Sequence, residues 1–252
     1  MAEGSYDSLW DVAWDAAARS GPGFRSRYDM LLRLMAEHGV SGRLLEVGAG
    51  RGYFLEALHR RFPWLELTAH ENAEGALAHL RSLSFLKAVT EGELAPNGGL
   101  GHAGFHTIVC SEVLEHIASD GAALDAMAAI LRPGGRLFLT VPLRADLWTR
   151  VDDAVGHERR YERGQLASMC RDRGLVVDTD SAFGFPFYNA YYRLLGRRTP
   201  AESAGALRSP LAQLGARGLT VLFGFESRFD TPWGGRGVVV ARRPLDPKER
   251  GR

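Results

Sequence analysis

Leu44-Leu45-Glu46-Val47-Gly48-Ala49-Gly50-Arg51-Gly52-Tyr53-Phe54 decides the fold of this 252-residue chain. A short apolar run ends in an acid. Glycines then follow at alternate positions, and a helical pattern starts at once. Strand, tight turn and helix in that order build a nucleotide-cofactor crevice. The spacing is not the G-x-G-x-x-G of a dinucleotide site; it is E-x-G-x-G-x-G. A pyrophosphate is held by glycine amides and a helix N-terminus, and a carboxylate such as Glu46 suits a cationic group instead. Glu71 stands at the end of the next strand, where an acid accepts hydrogen bonds from both ribose hydroxyls and repels a 2′-phosphate. Glu46 and Glu71 together favour an adenosine cofactor with no phosphates and a positive end. S-adenosylmethionine, with its ammonium and sulfonium, meets both conditions.

Outward from this motif, strands and helices alternate. Strands are expected at Arg43–Val47, Leu65–Ala69, Phe85–Thr90, His106–Cys110 and Arg136–Val141, with helices at Tyr53–Arg61, Ala73–Leu83 and Gly121–Leu131. Repeated βα units of this length predict an α/β fold: a doubly wound, mostly parallel seven-stranded sheet with helices on both faces. A helix at Arg163–Gly174 and strands at Leu175–Thr179 and Gly237–Arg242 complete it. Residues 1–40 read as an N-terminal helical cap. Residues 41–182 and 236–244 read as the cofactor-binding domain. Residues 183–235 are too long for a plain loop and read as a helical insertion before the last strand, capping the acceptor side.

Composition narrows the function. The chain is 45% hydrophobic and 24% charged with a net charge of +1, so no general electrostatic grip on nucleic acid is expected. Asn-Pro-Pro-Tyr, Asp-Pro-Pro-Tyr and Pro-Cys motifs of base methylation are missing from the sequence. Its two cysteines, Cys110 and Cys170, form no C-x-x-C pair, which argues against structural zinc and a disulfide framework. The polar, acidic start does not read as a signal peptide. No apolar run approaches the ~20 residues of a transmembrane span, and a cytoplasmic protein is expected.

Four stretches in order resemble the class I S-adenosylmethionine-dependent methyltransferases. They are Glu46–Gly52, Glu71, Phe105–Ile117 and Leu131–Pro142 (Leu-Arg-Pro-Gly-Gly-Arg-Leu-Phe-Leu-Thr-Val-Pro). The resemblance implies that Glu46, Gly48, Ala49, Gly50 and Gly52 form the cofactor turn and that Glu71, with Asn72 beside it, takes the ribose. It further implies that Glu91 or Glu93, of which Gly92-Glu93 is the better match, bonds the adenine amino group and that Ser111 and Glu112 lie beside the methionine part. Arg27 or Tyr28 of the N-terminal helix would close over the cofactor carboxylate.

The acceptor chemistry is expected just past the fourth strand, at the carboxyl edge of the sheet. If Glu112 opens a helical turn, Glu112 and Glu115 share a face with His116 one step on. This E-x-x-E-H cluster resembles the metal-binding run of the ubiquinone-pathway O-methyltransferases and of small-RNA 2′-O-methyltransferases. That likeness implies a divalent metal such as Mg²⁺, Mn²⁺ or Zn²⁺ on Glu112, Glu115 and His116. The other reading has His116 as a packing residue with no metal. His157 is a candidate general base, with Tyr161 orienting it or touching the acceptor. The aromatic run at 183–192, followed by Arg193, Arg197 and Arg198, reads first as plain core or a pocket wall, and otherwise as a membrane-resting surface or a homodimer contact. The function expected is methyl transfer to a small-molecule acceptor, most simply at oxygen. An N-methyltransferase, an NAD-dependent oxidoreductase and a cofactor-binding protein without turnover stay open.

Overall fold

Alternation of side chains along β1 (Arg43–Val47) sets up the whole site. Leu45 and Val47 enter one buried apolar cluster, and Leu44 enters the other, on the opposite face of the sheet. Glu46 shares the face of Leu44, because successive strand residues point to opposite sides. Both faces are covered, which is why these strands read as continuous apolar runs.

The computed structural model describes residues 21–94, 104–197 and 210–245. After β1 come α2 (Tyr53–Arg61), β2 (Glu66–His70), α3 (Glu74–Ser82), β3 (Leu86–Thr90) and β4 (Phe105–Ser111); α1 (Pro22–His38) precedes it. Then follow α4 (Asp120–Ile130), β5 (Leu131–Pro142), α5 (Arg150–Val155), α6 (Gln165–Asp172), β6 (Val176–Phe183), α7 (Phe187–Leu195), α8 (Pro210–Glu226) and β7 (Arg236–Arg242). The strands form one seven-stranded sheet in the order β3-β2-β1-β4-β5-β7-β6. β1 to β5 are parallel, and β7 runs antiparallel between β5 and β6. The seven-stranded, mostly parallel α/β sheet is as expected.

Two differences have physical causes. β6 runs four residues beyond the expected Thr179, to Phe183, although its sequence Val-Val-Asp-Thr-Asp-Ser-Ala-Phe is half polar. It is an edge strand paired only with β7, so its outward side chains stay wet. β5 starts at Leu131, five residues before the expected Arg136, and takes in the Arg132-Pro133-Gly134-Gly135 segment. Arg243 closes that segment into the sheet: its amide donates to the Gly135 carbonyl and its carbonyl accepts from the Gly134 amide.

The expected cap lies partly outside the described residues, which exclude 1–20 and Arg198. Its described part, α1, places Met30, Leu31, Leu34 and Met35 against Phe54, Leu55 and Leu58 of α2. Among the described residues of 183–235 the helices are α7 and α8, and α8 packs on α1 and α7. The Glu226 carboxylate at the end of α8 accepts from the amides of Phe187 and Tyr188 at 2.6 and 3.0 Å. It thereby satisfies donors that a helix leaves open at its start, and fixes α7 beside the sheet. Gly234 lets the lead into β7 run against β6, since a Cβ there would lie 2.4 Å from the Phe183 nitrogen.

Candidate active site

The glycine turn crosses over the carboxyl ends of β1 and β4. Gly48 has φ +70°, and a Cβ there would strike Val113 at 2.3 Å, so only glycine fits. Glu71 binds the turn from β2: it accepts from Gly50 N at 2.7 Å, Asn72 N at 2.7 Å and Ala73 N at 3.0 Å. The Asn72 side-chain oxygen accepts from Gly92 N at 2.8 Å and pins the loop after β3. Glu93 is exposed on that loop, whereas Glu91 is paired with Arg81 at 2.8 Å. At the end of β4, the Ser111 and Thr140 hydroxyls share a hydrogen bond of 2.9 Å.

Glu46 is buried on the face that α1 covers, so it meets Arg27 and Tyr28. Burial raises the Glu46 pKa well above the ordinary value; the Glu71 charge adds to this, and Arg27 opposes it. A buried acid that resists ionisation is stabilised when a cationic ligand arrives beside it. Burial also pushes the Tyr28 pKa to about 12, and its ring packs 5.1 Å from Phe54. These positions bring together Arg27, Tyr28, Glu46, the glycine turn and Glu71.

Glu112 does not open a helical turn. Its φ is +56°, a left-handed conformation that costs a non-glycine residue about 1–3 kcal/mol and is typical of functional sites. A short 3-10 turn, Leu114–His116, starts only afterwards. The shared face expected for Glu112 and Glu115 is therefore lost. The Glu112 carboxylate lies 3.6 Å from Arg27 and 4.0 Å from Arg236. Burial disfavours its charge, but Arg236 and then Arg27 hold its pKa below the ordinary value. In the metal set expected from the sequence, His157 takes the place of Glu112. Ligating atoms of Glu115, His116 and His157 all lie within 4.8 Å of one another.

This cluster fits a cation. Glu115 is fully buried, and apart from its own amide neither carboxylate oxygen meets a hydrogen-bond donor. An unmet buried carboxylate is costly unless a positive charge joins it. The His157 Nε2 faces Glu115 at 3.8 Å, and the His116 and His157 rings meet edge-to-face at 4.7 Å. Each imidazole is also held from behind, as metal-ligating histidines are. His157 Nδ1 pairs with Asp152 Oδ1 at 2.7 Å, and His116 hydrogen-bonds to the backbone of Gly156 and Val155. Burial lowers the His116 pKa to about 4, helped by neighbouring His157 and opposed by those backbone bonds, so it is neutral and able to ligate. Two imidazoles with carboxylate oxygen suit Mn²⁺, Fe²⁺ or Zn²⁺ better than the Mg²⁺ that an oxygen-rich set would favour.

Tyr161 departs from its expected role. It is fully buried in the core, and its hydroxyl donates to Asp120 at 2.7 Å. Burial and that hydrogen bond both raise its pKa. It anchors the loop after α5 and is not oriented toward His157. Arg159 is tied to the same Asp120 at 2.9 Å. Arg160 donates to Asp152 from Nε at 2.9 Å and Nη2 at 3.1 Å, so neither arginine is a ready anion site.

The sequence reading missed Asp152 and Arg236. Asp152 is signalled by Thr149-x-x-Asp152 at the start of α5, a capping box in which the Asp152 carboxylate accepts from Thr149 N at 2.7 Å. Arg236 is signalled by a lone charge opening the valine-rich β7. It is buried, donates to the Gly23 carbonyl at 2.7 Å, and stacks 4.1 Å over the Tyr188 ring. Tyr188 and Tyr192 of α7 thus face charged partners at the sheet edge, Tyr192 lying 4.8 Å beneath Arg160.

A seven-stranded sheet with an antiparallel β7 and an acid-bearing glycine turn at its open edge defines an α/β methyltransferase fold. Residues 24–180 match the family model of the methyltransferase domain. The chain belongs to that family, the class I S-adenosylmethionine-dependent methyltransferases. It is 33% identical over 176 residues to a ubiquinone biosynthesis O-methyltransferase of Xylella fastidiosa (strain M23), covering 62% of this chain and 69% of the relative. A ubiquinone biosynthesis O-methyltransferase of Psychrobacter arcticus is 36% identical over 107 residues, 40% of this chain and 41% of the relative. The fold is shared with a Haemonchus contortus phosphoethanolamine N-methyltransferase solved with S-adenosyl-L-methionine (TM-score 0.59, 14% identity, 95% and 60% of the two chains). It is also shared with a Streptomyces coelicolor geranyl diphosphate C-methyltransferase (TM-score 0.55, 16% identity, 84% and 79%). Among the described residues no helix is long and apolar enough to cross a membrane.

Glu71 supports the glycine turn, and the ribose role expected of it would come on top of that, so two variants are needed to separate the two. Glu71→Gln should weaken S-adenosylhomocysteine binding by about 1–3 kcal/mol, the worth of hydrogen bonds to a charged group. Glu71→Gln keeps one of the two acceptor oxygens and should lower the melting temperature less than Glu71→Ala, in which the Gly50, Asn72 and Ala73 amides all lose their acceptor. Unchanged affinity in Glu71→Gln, measured by titration calorimetry, would mean the ribose is held elsewhere.

Proposed function

We propose that this methyltransferase acts on a hydroxyl of a small molecule and that Glu115, His116 and His157 hold a divalent cation at the acceptor oxygen. The observation that carries the reading is the fully buried Glu115 carboxylate, unmet by donors and flanked by two imidazoles. A cation bound there would lower the pKa of the acceptor hydroxyl. The relatives named as O-methyltransferases support oxygen as the acceptor atom, and the near-zero net charge supports a small acceptor over nucleic acid.

The chain's own residues then bind and orient. Glu46 faces the cofactor's cationic end, and Gly48, Ala49, Gly50 and Gly52 let the backbone approach it. Glu71 and Asn72 take the ribose side, Glu93 the adenine amino group, and Ser111 the methionine part. Arg27 and Tyr28 on α1 cover the carboxylate. Tyr188 and Tyr192 form the acceptor wall. Methyl transfer is an in-line displacement with a neutral leaving group, so alignment across this edge supplies much of the rate. A second reading rests on the 2.7 Å contact between His157 and Asp152: an Asp–His pair acting as the general base with no cation.

A simple catechol offered with S-adenosylmethionine to the chelator-treated and Mn²⁺-reloaded protein distinguishes the two. Loss of O-methyl product on chelation and recovery with Mn²⁺ are expected. Chelator-insensitive turnover would leave the Asp–His pair as the base. Methylation of amine acceptors only would overturn oxygen as the target. Binding of NAD without S-adenosylhomocysteine would overturn the cofactor placement.

A further inference from the structure

Glu112 stands between the two halves of the site. On one side are Arg27 and Arg236, at 3.6 and 4.0 Å, both longer than a charge-assisted hydrogen bond. On the other, three residues along the chain, is the Glu115–His116–His157 cluster. The Glu112 Oε1 is buried and has no hydrogen-bond partner. A carboxylate loosely paired, half unmet and held in a strained backbone conformation is placed to exchange partners.

We infer that Glu112 makes cofactor binding and cation binding mutually reinforcing. This rests on the proposed placement of the cofactor carboxylate at Arg27 and of the cation at Glu115, His116 and His157. Arg27 pairs with Glu112. A cofactor carboxylate arriving at Arg27 competes for the same guanidinium and weakens that pair. The Glu112 charge is then available to the neighbouring cluster, where a cation gains a further oxygen donor or a nearer counter-charge. The reverse follows by linkage: a cation that draws on Glu112 releases Arg27 for the cofactor, and by the same factor. Arg236 stays beside Glu112 throughout, held by the Gly23 carbonyl and the Tyr188 ring.

S-adenosylhomocysteine is the suitable probe, because it carries the carboxylate without a sulfonium that would repel a cation. The full chain is titrated with Mn²⁺, with and without saturating S-adenosylhomocysteine, and free Mn²⁺ is read by electron paramagnetic resonance. The converse titration is read by calorimetry. Each ligand should tighten the other about tenfold, within the usual range of coupling between sites. Glu112→Gln, which keeps the shape and removes the charge, should reduce the coupling to less than about twofold while S-adenosylhomocysteine still binds. Arg27→Gln should tighten Mn²⁺ in the absence of S-adenosylhomocysteine and leave it less to gain. Equal Mn²⁺ affinities with and without S-adenosylhomocysteine in the unaltered protein overturn the inference, as does full coupling in a folded Glu112→Gln protein. Failure to bind Mn²⁺ at all overturns it through the cation site; failure to bind S-adenosylhomocysteine overturns the cofactor placement and the inference with it.

Discussion

Asp152→Ala should destabilise the protein by about 3–5 kcal/mol, the cost of leaving a buried charge without its partner. Asp152 is fully buried and accepts from two nitrogens of Arg160, from Thr149 N and from His157. Burial alone would raise its pKa, but the His157 hydrogen bond and the Arg160 charge hold it below the ordinary value. Removing it leaves the Arg160 guanidinium with the Leu143 carbonyl at 3.0 Å and the Tyr192 ring, and with no counter-charge from Asp152. It also removes the cap of α5 and frees the His157 ring. Chemical denaturation should show the loss as a lower midpoint. Asp152→Asn keeps the cap geometry and should lose less stability while still impairing turnover. A midpoint unchanged in Asp152→Ala would mean that water or another acid takes up the Arg160 charge.

His157→Ala should lower turnover by about 10²–10⁴-fold, the usual worth of a positioned proton-transfer group. The affinity for S-adenosylhomocysteine in the absence of added metal should stay within about twofold, because the proposed function puts His157 at the acceptor and not at the cofactor. As a cation ligand it should also weaken Mn²⁺ binding. As a general base acting without a cation it should leave Mn²⁺ binding alone and flatten the rise of rate with pH. A variant with wild-type turnover would remove His157 from both roles. The Asp152 contact predicts that Asp152→Asn and His157→Ala are strongly non-additive, since they disable one unit.

How much of this was readable depends on whether contacts are local. Glu46, the glycines and Glu71 lie on adjacent strand ends, and their spacing alone marked the strand, turn and helix that form there. The sheet was legible because each βα unit carries its own period and its own turn. The partnership of Glu112 was not, because Arg27 and Arg236 reach it from opposite ends of the chain and share no sequence period with it. The φ of +56° at Glu112 also removed the helical face on which a local argument would rely. His157 was singled out, but its place beside Glu115 depends on the turn at Gly156 and on the His157 amide donating to the Asp152 carbonyl. Tyr161 misled for the opposite reason. A tyrosine near a histidine in sequence looked functional, yet its ring fills the core and its hydroxyl serves Asp120.

Strand β7 enters the sheet between two strands that precede it in the chain, β5 and β6. Its first residue, Arg236, touches α1, α7 and the loop after β4. The pocket therefore cannot be assembled from the early βα units alone, however well they fold. During synthesis on the ribosome, the crevice stays incomplete until residue 236 has cleared the exit tunnel. Ligand binding is in this sense a late signal of folding, and it reports that the sheet has closed.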